Sequence, residues 1–410
     1  LFISCSVDTE KFCAMKYCDC VKRFQEYLQI KTVHPHPDYA KAVQYLHQIG
    51  ESIPLKCEVF TVASGNLLLI MTLEGTEPSL PSILLNSHMD VVPAYEEKWK
   101  YDPFSGHMDE KGDIYGRGSQ DMKNVGMQYL EAILHLKRQG KTFKRTIHLS
   151  FVPDEEMGGK LGMAKFIETD SFKKLNVGVC LDEGIATEDD VYRIYYAERN
   201  TWWIKLTCHG NPGHASKFIE NTAAEKMKFL LDKFLNIRES EKARMKCNPS
   251  LTMGDLMTVN LTELSGGVQP NVVPSELTAV FDIRLPPTVD CERLKKEIDS
   301  WLIQAGGGID LEFIEYGDNS YMSPTDANDK WWKAITEIFN ERKMKYKAEI
   351  FTGATDARFL RSKLIPAYGF SPMIKTPVLL HDNDERLNKD VYLEGIQIYE
   401  QLIEGLANVP

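Results

Sequence analysis

Hydrophobic and polar positions follow two different patterns along the first half of the chain. Short apolar runs that favour strands occur at 57–62, 67–73, 83–92, 146–152 and 177–181. Between them, residues 121–137 carry apolar side chains three or four positions apart, which predicts an amphipathic helix. Strands that alternate with helices predict an α/β fold with a largely parallel, doubly wound sheet and helices on both faces.

The pattern changes after residue 196. Strands are expected at 202–209, 258–264, 277–285 and 310–316, with helices at 222–238 and 291–305. This β-α-β-β-α-β order predicts a small α+β sandwich. Helix–strand alternation returns towards the C-terminus, so we expect the small domain, 197–318, to be inserted in a larger one formed by 21–196 and 319–410. Residues 1–20, which hold four cysteines, are expected to be an atypical N-terminal extension.

Composition narrows the class of protein. With 410 residues, 43% hydrophobic and 26% charged, the chain is typical of a soluble globular protein that is too long for one core. A net charge of −11 offers no basic surface to nucleic acid. No apolar stretch approaches the roughly 18 residues of a membrane span, so a membrane partner is not expected either. Nine mostly scattered cysteines indicate reduced thiols and a cytoplasmic location.

A histidine and an aspartate stand at the end of one predicted strand. His88 follows the apolar run Ile83–Leu85, and the carboxyl ends of strands are where ligand sites form in open α/β sheets. Asp90 lies on the same side of the extended chain and can hold the His88 imidazole in one tautomer. Such a pair is common by chance, so its value depends on further ligands at other strand ends.

Further acidic and imidazole side chains stand at comparable points. They are Asp121 after a glycine-rich turn, Glu155 and Glu156 after a buried strand, Asp182 after the next strand, and His381 after an apolar pair. Alone, Asp121 is typical of a helix N-cap and the acidic run of a solvated loop. Together with His88, the set suits zinc, and its size suits two ions that share one carboxylate. Neighbouring side chains on an extended segment point apart, so one glutamate would bind metal and the other would act as a general base.

Four motifs resemble those of the co-catalytic zinc hydrolases, the family of glutamate carboxypeptidases, acetylornithine deacetylases, carnosinases and aminoacylases. They are Ser87–Pro93, Gly116–Lys123, Asp154–Gly159 and Pro212–Ser216. Within that family the chain is most similar to the aminoacylases, through segments such as Leu181–Ala186 and Thr376–Asp382. The resemblance runs from about Phe24 to the C-terminus, and it implies a zinc-hydrolase catalytic domain with an inserted lid and dimerisation domain.

The resemblance also implies a role for each matching residue. His88 and Asp182 would hold one zinc, Glu156 and His381 the other, and Asp121 would bridge the two ions. Asp90 would orient His88, and Glu155 would carry a proton from water to the departing amine. His214 would reach the active site of the neighbouring subunit in a homodimer and steady the oxyanion. Asn271, Arg284 and Gly353 would contact the substrate.

The expected reaction is zinc-dependent hydrolysis of N-acyl-L-amino acids, such as N-acetylated aliphatic ones, to a carboxylate and a free L-amino acid. A dipeptidase or carboxypeptidase on the same scaffold is the first alternative, and a metal-free binding homologue is the second. Simpler interpretations of single residues also stay open. His214 is compatible with a surface histidine, and Arg284 with an arginine that pairs with an acid of its own sheet.

Overall fold

The computed structural model describes residues 19–410, so all but the end of the N-terminal extension predicted at 1–20 lies outside the described residues. The helices are α1 (19–28), α2 (Tyr39–Ser52), α3 (Lys123–Arg138), α4 (Met163–Phe166), α5 (Asp170–Lys174), α6 (Ala223–Cys247), α7 (Cys291–Gln304), α8 (Lys330–Glu341), α9 (Ala357–Ser362) and α10 (Lys389–Ala407).

The strands of the first half are β1 (Lys56–Ala63), β2 (Asn66–Leu73), β3 (Ser82–His88), β4 (Asp113–Tyr115), β5 (Ile147–Val152), β6 (Val177–Asp182), β7 (Val191–Glu198) and β8 (Asn200–His209). Those of the second half are β9 (Gly213–His214), β10 (Thr258–Gly266), β11 (Val272–Val273), β12 (Glu276–Leu285), β13 (Ile309–Tyr316), β14 (Lys345–Phe351), β15 (Ala367–Gly369) and β16 (Arg386–Asn388).

The chain divides into two compact units. The first holds the described residues up to Tyr196 together with Ser323–Ala348 and Thr355–Pro410, and the second holds Ala197–Met322 and Glu349–Ala354. The sequence predicted breaks after residues 196 and 318, and the units change after Tyr196 and Met322. The short return of 349–354 to the second unit, which includes the end of β14, was not predicted.

One large sheet carries the predicted metal ligands, and its strands run in the order β1-β2-β5-β3-β6-β15-β7-β14. The middle strands β5, β3, β6 and β15 are parallel, but β1, β2 and β7 pair antiparallel with their neighbours. The sheet is therefore mixed, which corrects the expectation of a largely parallel one. Strands β3 and β5 are buried along their whole length, as strands covered on both faces are.

Helix α3 lies against the centre of this sheet. Its Gly126 is so close to β3 and β5 that a Cβ there would meet Ser87 Oγ at 2.6 Å and the Phe151 ring at 2.9 Å. Almost every residue of α3 is buried, and α10 packs alongside it in the same core. Because α3 begins two residues after Asp121, this close packing fixes the loop in which Asp121 lies.

The second unit has the predicted β-α-β-β-α-β order. Its antiparallel sheet runs β10-β12-β8-β13, and its core packs Trp202, Phe234, Phe281 and Trp301 between the sheet and helices α6 and α7. Helix α6 continues well past its predicted end at residue 238. Within residues 19–410, no helix combines the length and the apolar character needed to cross a bilayer.

Candidate metal centre

His88 ends β3 with a buried side chain whose two nitrogens have separate partners. Its Nδ1 lies 2.9 Å from the main-chain oxygen of Asp90, and its Nε2 lies 2.9 Å from Asp121 Oδ1. The Asp90 carbonyl accepts a hydrogen bond from Nδ1–H, which leaves on Nε2 the lone pair that a metal requires. Asp90 therefore orients His88 through its main chain.

The Asp90 carboxylate has a different task. It is fully buried, and its nearest oxygen is 3.8 Å from His88 Nδ1. It accepts hydrogen bonds from the main-chain N–H groups of Glu155 at 3.3 Å and Glu156 at 3.1 Å. His34 Nε2 lies 2.8 Å from the same carboxylate. Asp90 thus ties the end of β3 to the loop that presents the two glutamates.

That loop turns sharply at Asp154, whose φ of +74° lies in the left-handed region. Aspartate tolerates this region better than most residues, because its short side chain can bond to nearby main chain. Here the carboxylate accepts the N–H of Leu161 at 2.7 Å, and the N–H of Asp154 donates to the Tyr39 hydroxyl at 3.0 Å. The turn directs the next two N–H groups at Asp90.

Asp121 lies between the two predicted histidine ligands. Its Oδ1 is 2.9 Å from His88 Nε2, and its Oδ2 is 3.0 Å from His381 Nε2. His381 Nε2 is also 3.2 Å from Glu156 Oε2. One carboxylate oxygen facing each imidazole is the arrangement expected of a residue that bridges two ions. His381 adopts a φ of +59°, a strained conformation of the kind that clusters at functional sites.

A buried glutamate, Glu385, holds the Asp121 loop from beneath. Its Oε1 accepts the N–H groups of Gln120 at 2.6 Å and Asp121 at 3.2 Å. Its Oε2 accepts the N–H of Gly118 at 3.0 Å and a guanidinium N–H of Arg117 at 2.8 Å. The glycine-rich turn predicted at 116–118 therefore wraps around a carboxylate, which fixes the position of Asp121.

The structure brings Glu183, and not Asp182, to His88. Glu183 Oε2 lies 3.6 Å from His88 Nε2, and these atoms belong with Glu155 to a group within 4.8 Å of one another. Asp182 instead accepts hydrogen bonds from the Asn86 amide at 3.3 Å and from the Glu183 N–H at 2.8 Å. Asp182 therefore belongs to a polar row across the sheet, and the geometry favours Glu183 as a ligand in place of the predicted Asp182.

The electrostatics of the cluster show an excess of negative charge. Burial raises the pKa of Glu155 and Glu183 well above the usual range, and neighbouring carboxylates raise both further. Burial opposes protonation of His88, but the charge of Glu183 and the hydrogen bond to Asp121 nevertheless raise the pKa of His88 well above its usual value. Two imidazoles thus face four largely buried carboxylates.

This donor set fits a pair of divalent cations. Zinc bonds of about 2.0–2.1 Å to oxygen and nitrogen in tetrahedral geometry separate two ligand atoms by about 3.3 Å. The separations observed around Asp121 and His88, 2.9 to 3.6 Å, lie on both sides of that value. With neutral imidazoles, four carboxylates carry the charge that two divalent cations neutralise. Nitrogen and oxygen donors without a thiolate also suit zinc.

A second cluster of ligand-type residues joins Cys20, Glu131 and His135. The Glu131 carboxylate there is already paired with the Arg23 guanidinium, at 2.5 Å and 2.8 Å. His135 Nδ1 is 2.5 Å from a Glu400 oxygen. A cation would have to displace Arg23, so this cluster is explained as an ion-pair network that ties α1 to α3.

The remaining predicted residues belong to the second unit. His214 lies in the two-stranded ribbon of β9 and β11, opposite Val272, and its exposed ring bonds to the Ser216 hydroxyl at 2.8 Å. The main-chain oxygen of Asn271 accepts the N–H of Ala215 at 3.0 Å. The ribbon thus brings His214 and Asn271 together, although more than fifty residues separate them in the sequence.

Arg284 and Gly353 stand apart from that ribbon. The Arg284 guanidinium bonds to both carboxylate oxygens of Asp282, at 2.7 Å and 2.8 Å, and to the Thr201 hydroxyl at 2.9 Å. The alternative that Arg284 pairs with an acid of its own sheet therefore describes its resting contacts. Gly353 follows β14, where a Cβ would lie 3.1 Å from the Phe351 ring. Their predicted contacts with substrate stay predictions.

Glu183, Glu385 and His34 belong to the site but were not predicted from the sequence. Glu183 was visible as the second acid of Leu181-Asp182-Glu183-Gly184, but spacing does not tell which of two adjacent side chains faces the site. Glu385 and His34 act on residues far away in the chain. For Glu385 the sequence offered one signal, the acidic run close to His381 in which it lies. For His34 it offered none.

Comparison with known proteins identifies the family. The family model described as peptidase family M20/M25/M40 matches residues 84–405, most of the chain. The chain belongs to this family. Aminoacylase-1A of Rattus norvegicus is 48% identical over 95% of the chain and 96% of its own length, and aminoacylase-1 of Homo sapiens is 46% identical over the same shares. Aminoacylase-1 of Dictyostelium discoideum is 42% identical, over 94% and 97%.

Solved structures of M20 proteins share the fold. A metallo-carboxypeptidase of Sulfolobus solfataricus matches with a TM-score of 0.72 and 18% identity, over 95% of this chain and 99% of its own. A dinuclear metal-binding M20 peptidase of Bacillus subtilis matches with a TM-score of 0.70 and 14% identity, over 96% and 98%. Together with the family match, these likenesses confirm the predicted fold class, an α/β catalytic domain of the M20 type with an inserted second domain.

Proposed function

We propose that this M20 protein hydrolyses N-acyl-L-amino acids to a carboxylate and a free L-amino acid. The observation that carries the proposal is the group of two imidazoles and four carboxylates around Asp121, which can hold two metal ions beside a further acid. Its mammalian relatives named aminoacylase-1 or aminoacylase-1A are 46–48% identical over 95% of the chain, and this supports the choice of substrate class.

Two zinc ions per subunit are the proposed cofactors. His88 and Glu183 would hold one, Glu156 and His381 the other, and Asp121 would bridge them, since these side chains are the ones that converge. When bound, such ions polarise the scissile carbonyl and lower the pKa of water. The chain itself fixes the ligands in advance, through the Asp90 carbonyl for His88 and through Glu385 for Asp121.

Glu155 is the proposed proton carrier. It stands beside Glu156 in the same loop, and its carboxylate lies within reach of His88 and Glu183. Glu155 would take a proton from the attacking water as the new C–O bond forms. It would then return that proton to the amide nitrogen as the C–N bond breaks, so that the amine leaves in a neutral form. The hydrogen bond from the main-chain N–H of Glu155 to the Asp90 carboxylate holds Glu155 in place for both proton transfers.

Residues of the second unit are proposed to complete the reaction in a homodimer. His214, exposed on its ribbon, would donate to the oxyanion in the neighbouring subunit. The substrate contacts are proposed to come from Asn271, Arg284 and Gly353. The Arg284 guanidinium would release Asp282 and bind the substrate carboxylate through two hydrogen bonds. A cytoplasmic location is proposed because the described cysteines, which include Cys180 and Cys208, are all free thiols.

The test is Glu155→Gln, with Glu110→Gln at an exposed position as the matched control. We expect the Glu155 variant to retain two zinc ions and to lose turnover of N-acetylmethionine by at least about 10²- to 10⁴-fold. The Glu110 variant should behave as wild type. Near-normal turnover by Glu155→Gln would remove Glu155 from the mechanism.

The same assay separates the alternatives. Clear preference for a dipeptide such as carnosine over N-acetylmethionine would favour a dipeptidase on this scaffold. A purified protein with less than one zinc per chain and no activity sensitive to chelators would favour the binding homologue.

A further inference from the structure

The Asp90 carboxylate has three donors, and only two of them belong to the active-site loop. Glu155 and Glu156 donate their main-chain N–H groups. The third donor is the imidazole of His34, 2.8 Å away through Nε2. His34 comes from the segment between α1 and α2, fifty-six positions earlier in the sequence. A buried carboxylate with a fixed donor on each side has little freedom to rotate.

The His34 imidazole is not needed to hold its own segment in place. The main chain does so, because the His34 N–H donates to the Val91 oxygen at 3.3 Å and the Val91 N–H donates to the Thr32 oxygen at 3.0 Å. The Thr32 hydroxyl adds a bond of 2.6 Å to the Met89 oxygen. A substitution of the His34 side chain therefore removes the bond to Asp90 and leaves these anchors.

The His34 side chain is only 13% exposed. The hydrogen bond to Asp90 raises the pKa of His34 above its usual value, although burial opposes the shift. Charge on His34 strengthens its donation to a carboxylate, since hydrogen bonds between ionised groups are about twice as strong as neutral ones.

We propose that His34 is a positioning residue for the hydrolysis, acting through Asp90 on the loop that presents Glu155 and Glu156. Its side-chain hydrogen bond goes to Asp90, which is not one of the proposed metal ligands. By fixing the plane of the Asp90 carboxylate, it keeps both oxygens aimed at the two N–H groups. A loss of this constraint displaces Glu155, whose proton transfers depend on its position to within a fraction of an ångström. The inference rests on the proposed roles of Glu155 and Glu156.

The experiment uses three substitutions of His34 and one matched control. His34→Ala removes the donor. His34→Gln places an amide N–H the same number of bonds from Cα as Nε2, whereas His34→Asn places it at the level of Nδ1. His36→Ala alters an exposed histidine of the same segment. Each protein is measured for zinc content, kcat, KM and urea unfolding.

We expect His34→Ala to lower kcat by about 10- to 100-fold, as the loss of a supporting partner at a metal site does, with KM changed by less than about threefold. His34→Gln should recover most of that loss and His34→Asn should not, while His36→Ala should match wild type. A residue with a merely structural role would shift the urea midpoint of all three His34 variants and leave kcat of the folded enzyme intact. That outcome, or equal kcat values for Gln and Asn, would overturn the proposal.

A double substitution separates this proposal from the proposed function. In an Asp90→Ala background, His34→Ala should cost no further activity, because the carboxylate through which His34 acts is absent. If the two losses multiply, His34 does not act through Asp90. If instead Glu155→Gln stays active, the proposed function has failed, whatever the His34 variants do.

Discussion

Glu385→Gln is the substitution that best tests how the metal centre is supported. The Glu385 side chain is fully buried and accepts four hydrogen bonds, two on each oxygen, from Arg117 and from the main chain of Gly118, Gln120 and Asp121. A glutamine has the same shape but only one oxygen. Its NH₂ group would face two donors, either at Gly118 and Arg117 or at Gln120 and Asp121.

The magnitude follows from those contacts. Arg117 is 3% exposed, so the loss of its partner leaves a buried charge uncompensated, which costs about 3–5 kcal/mol. One unsatisfied buried N–H alone would cost about 1–3 kcal/mol. We therefore expect Glu385→Gln to lower the free energy of unfolding by about 3–5 kcal/mol, since the glutamine is neutral in either orientation. We also expect it to weaken zinc binding, because either orientation releases two of the four groups that hold the Asp121 loop.

The assay is urea unfolding of the zinc-free protein, so that metal binding does not contribute to stability. The midpoint should fall without a change in the slope, which reports the surface exposed on unfolding. Glu110→Gln, an exposed change of the same chemistry, should leave the midpoint within the error of the measurement. A loss below about 1 kcal/mol, with zinc affinity unchanged, would refute the view that Glu385 holds the Asp121 loop.

Two further predictions concern a ligand and a buried histidine. Glu183→Gln should lose one of two zinc ions. Asp182→Asn should keep both, because an amide oxygen can still accept the hydrogen bond from Asn86. Zinc loss from the Asp182 variant alone would indicate that Asp182 is the ligand. Burial lowers the pKa of His148 to about 4, so its contribution to stability is complete above the unfolded pKa near 6.5 and is lost as pH falls towards 4. The loss amounts to roughly 3 kcal/mol. His148→Gln should therefore reduce the change of the urea midpoint between about pH 7 and 4.5. A pH dependence equal to that of wild type would contradict the lowered pKa of His148.

Much of the fold was predictable from hydrophobic periodicity. The strands that became β2, β5 and β6, and the helix that became α3, were located to within two residues, because each has one buried pattern over several residues. Strand β7 was overlooked and the sheet is mixed. Strand direction depends on connections between distant segments, and periodicity carries no information on them.

The site divides along a similar line. His88, Glu156 and His381 were singled out because each follows an apolar run, and Asp121 because it follows a glycine-rich turn. The structure brings these four together. The sequence predicted Asp182 as a ligand, whereas the geometry favours Glu183, because Asp182 Oδ1 is held in the polar row through Asn86 and Ser150. That row exists only once β5, β3 and β6 lie side by side.

The connection between Glu385 and the Asp121 loop has a consequence for biosynthesis. Strand β15, His381 and Glu385 all lie in the last tenth or so of the chain, yet β15 completes the sheet and Glu385 shapes a turn 265 residues earlier. A nascent chain on the ribosome has the early ligands before it has the partners that hold them. We therefore expect metal uptake to wait until residues 364–410 have been synthesised. A ribosome-arrested chain that lacks these residues and still retains two zinc ions would contradict this expectation.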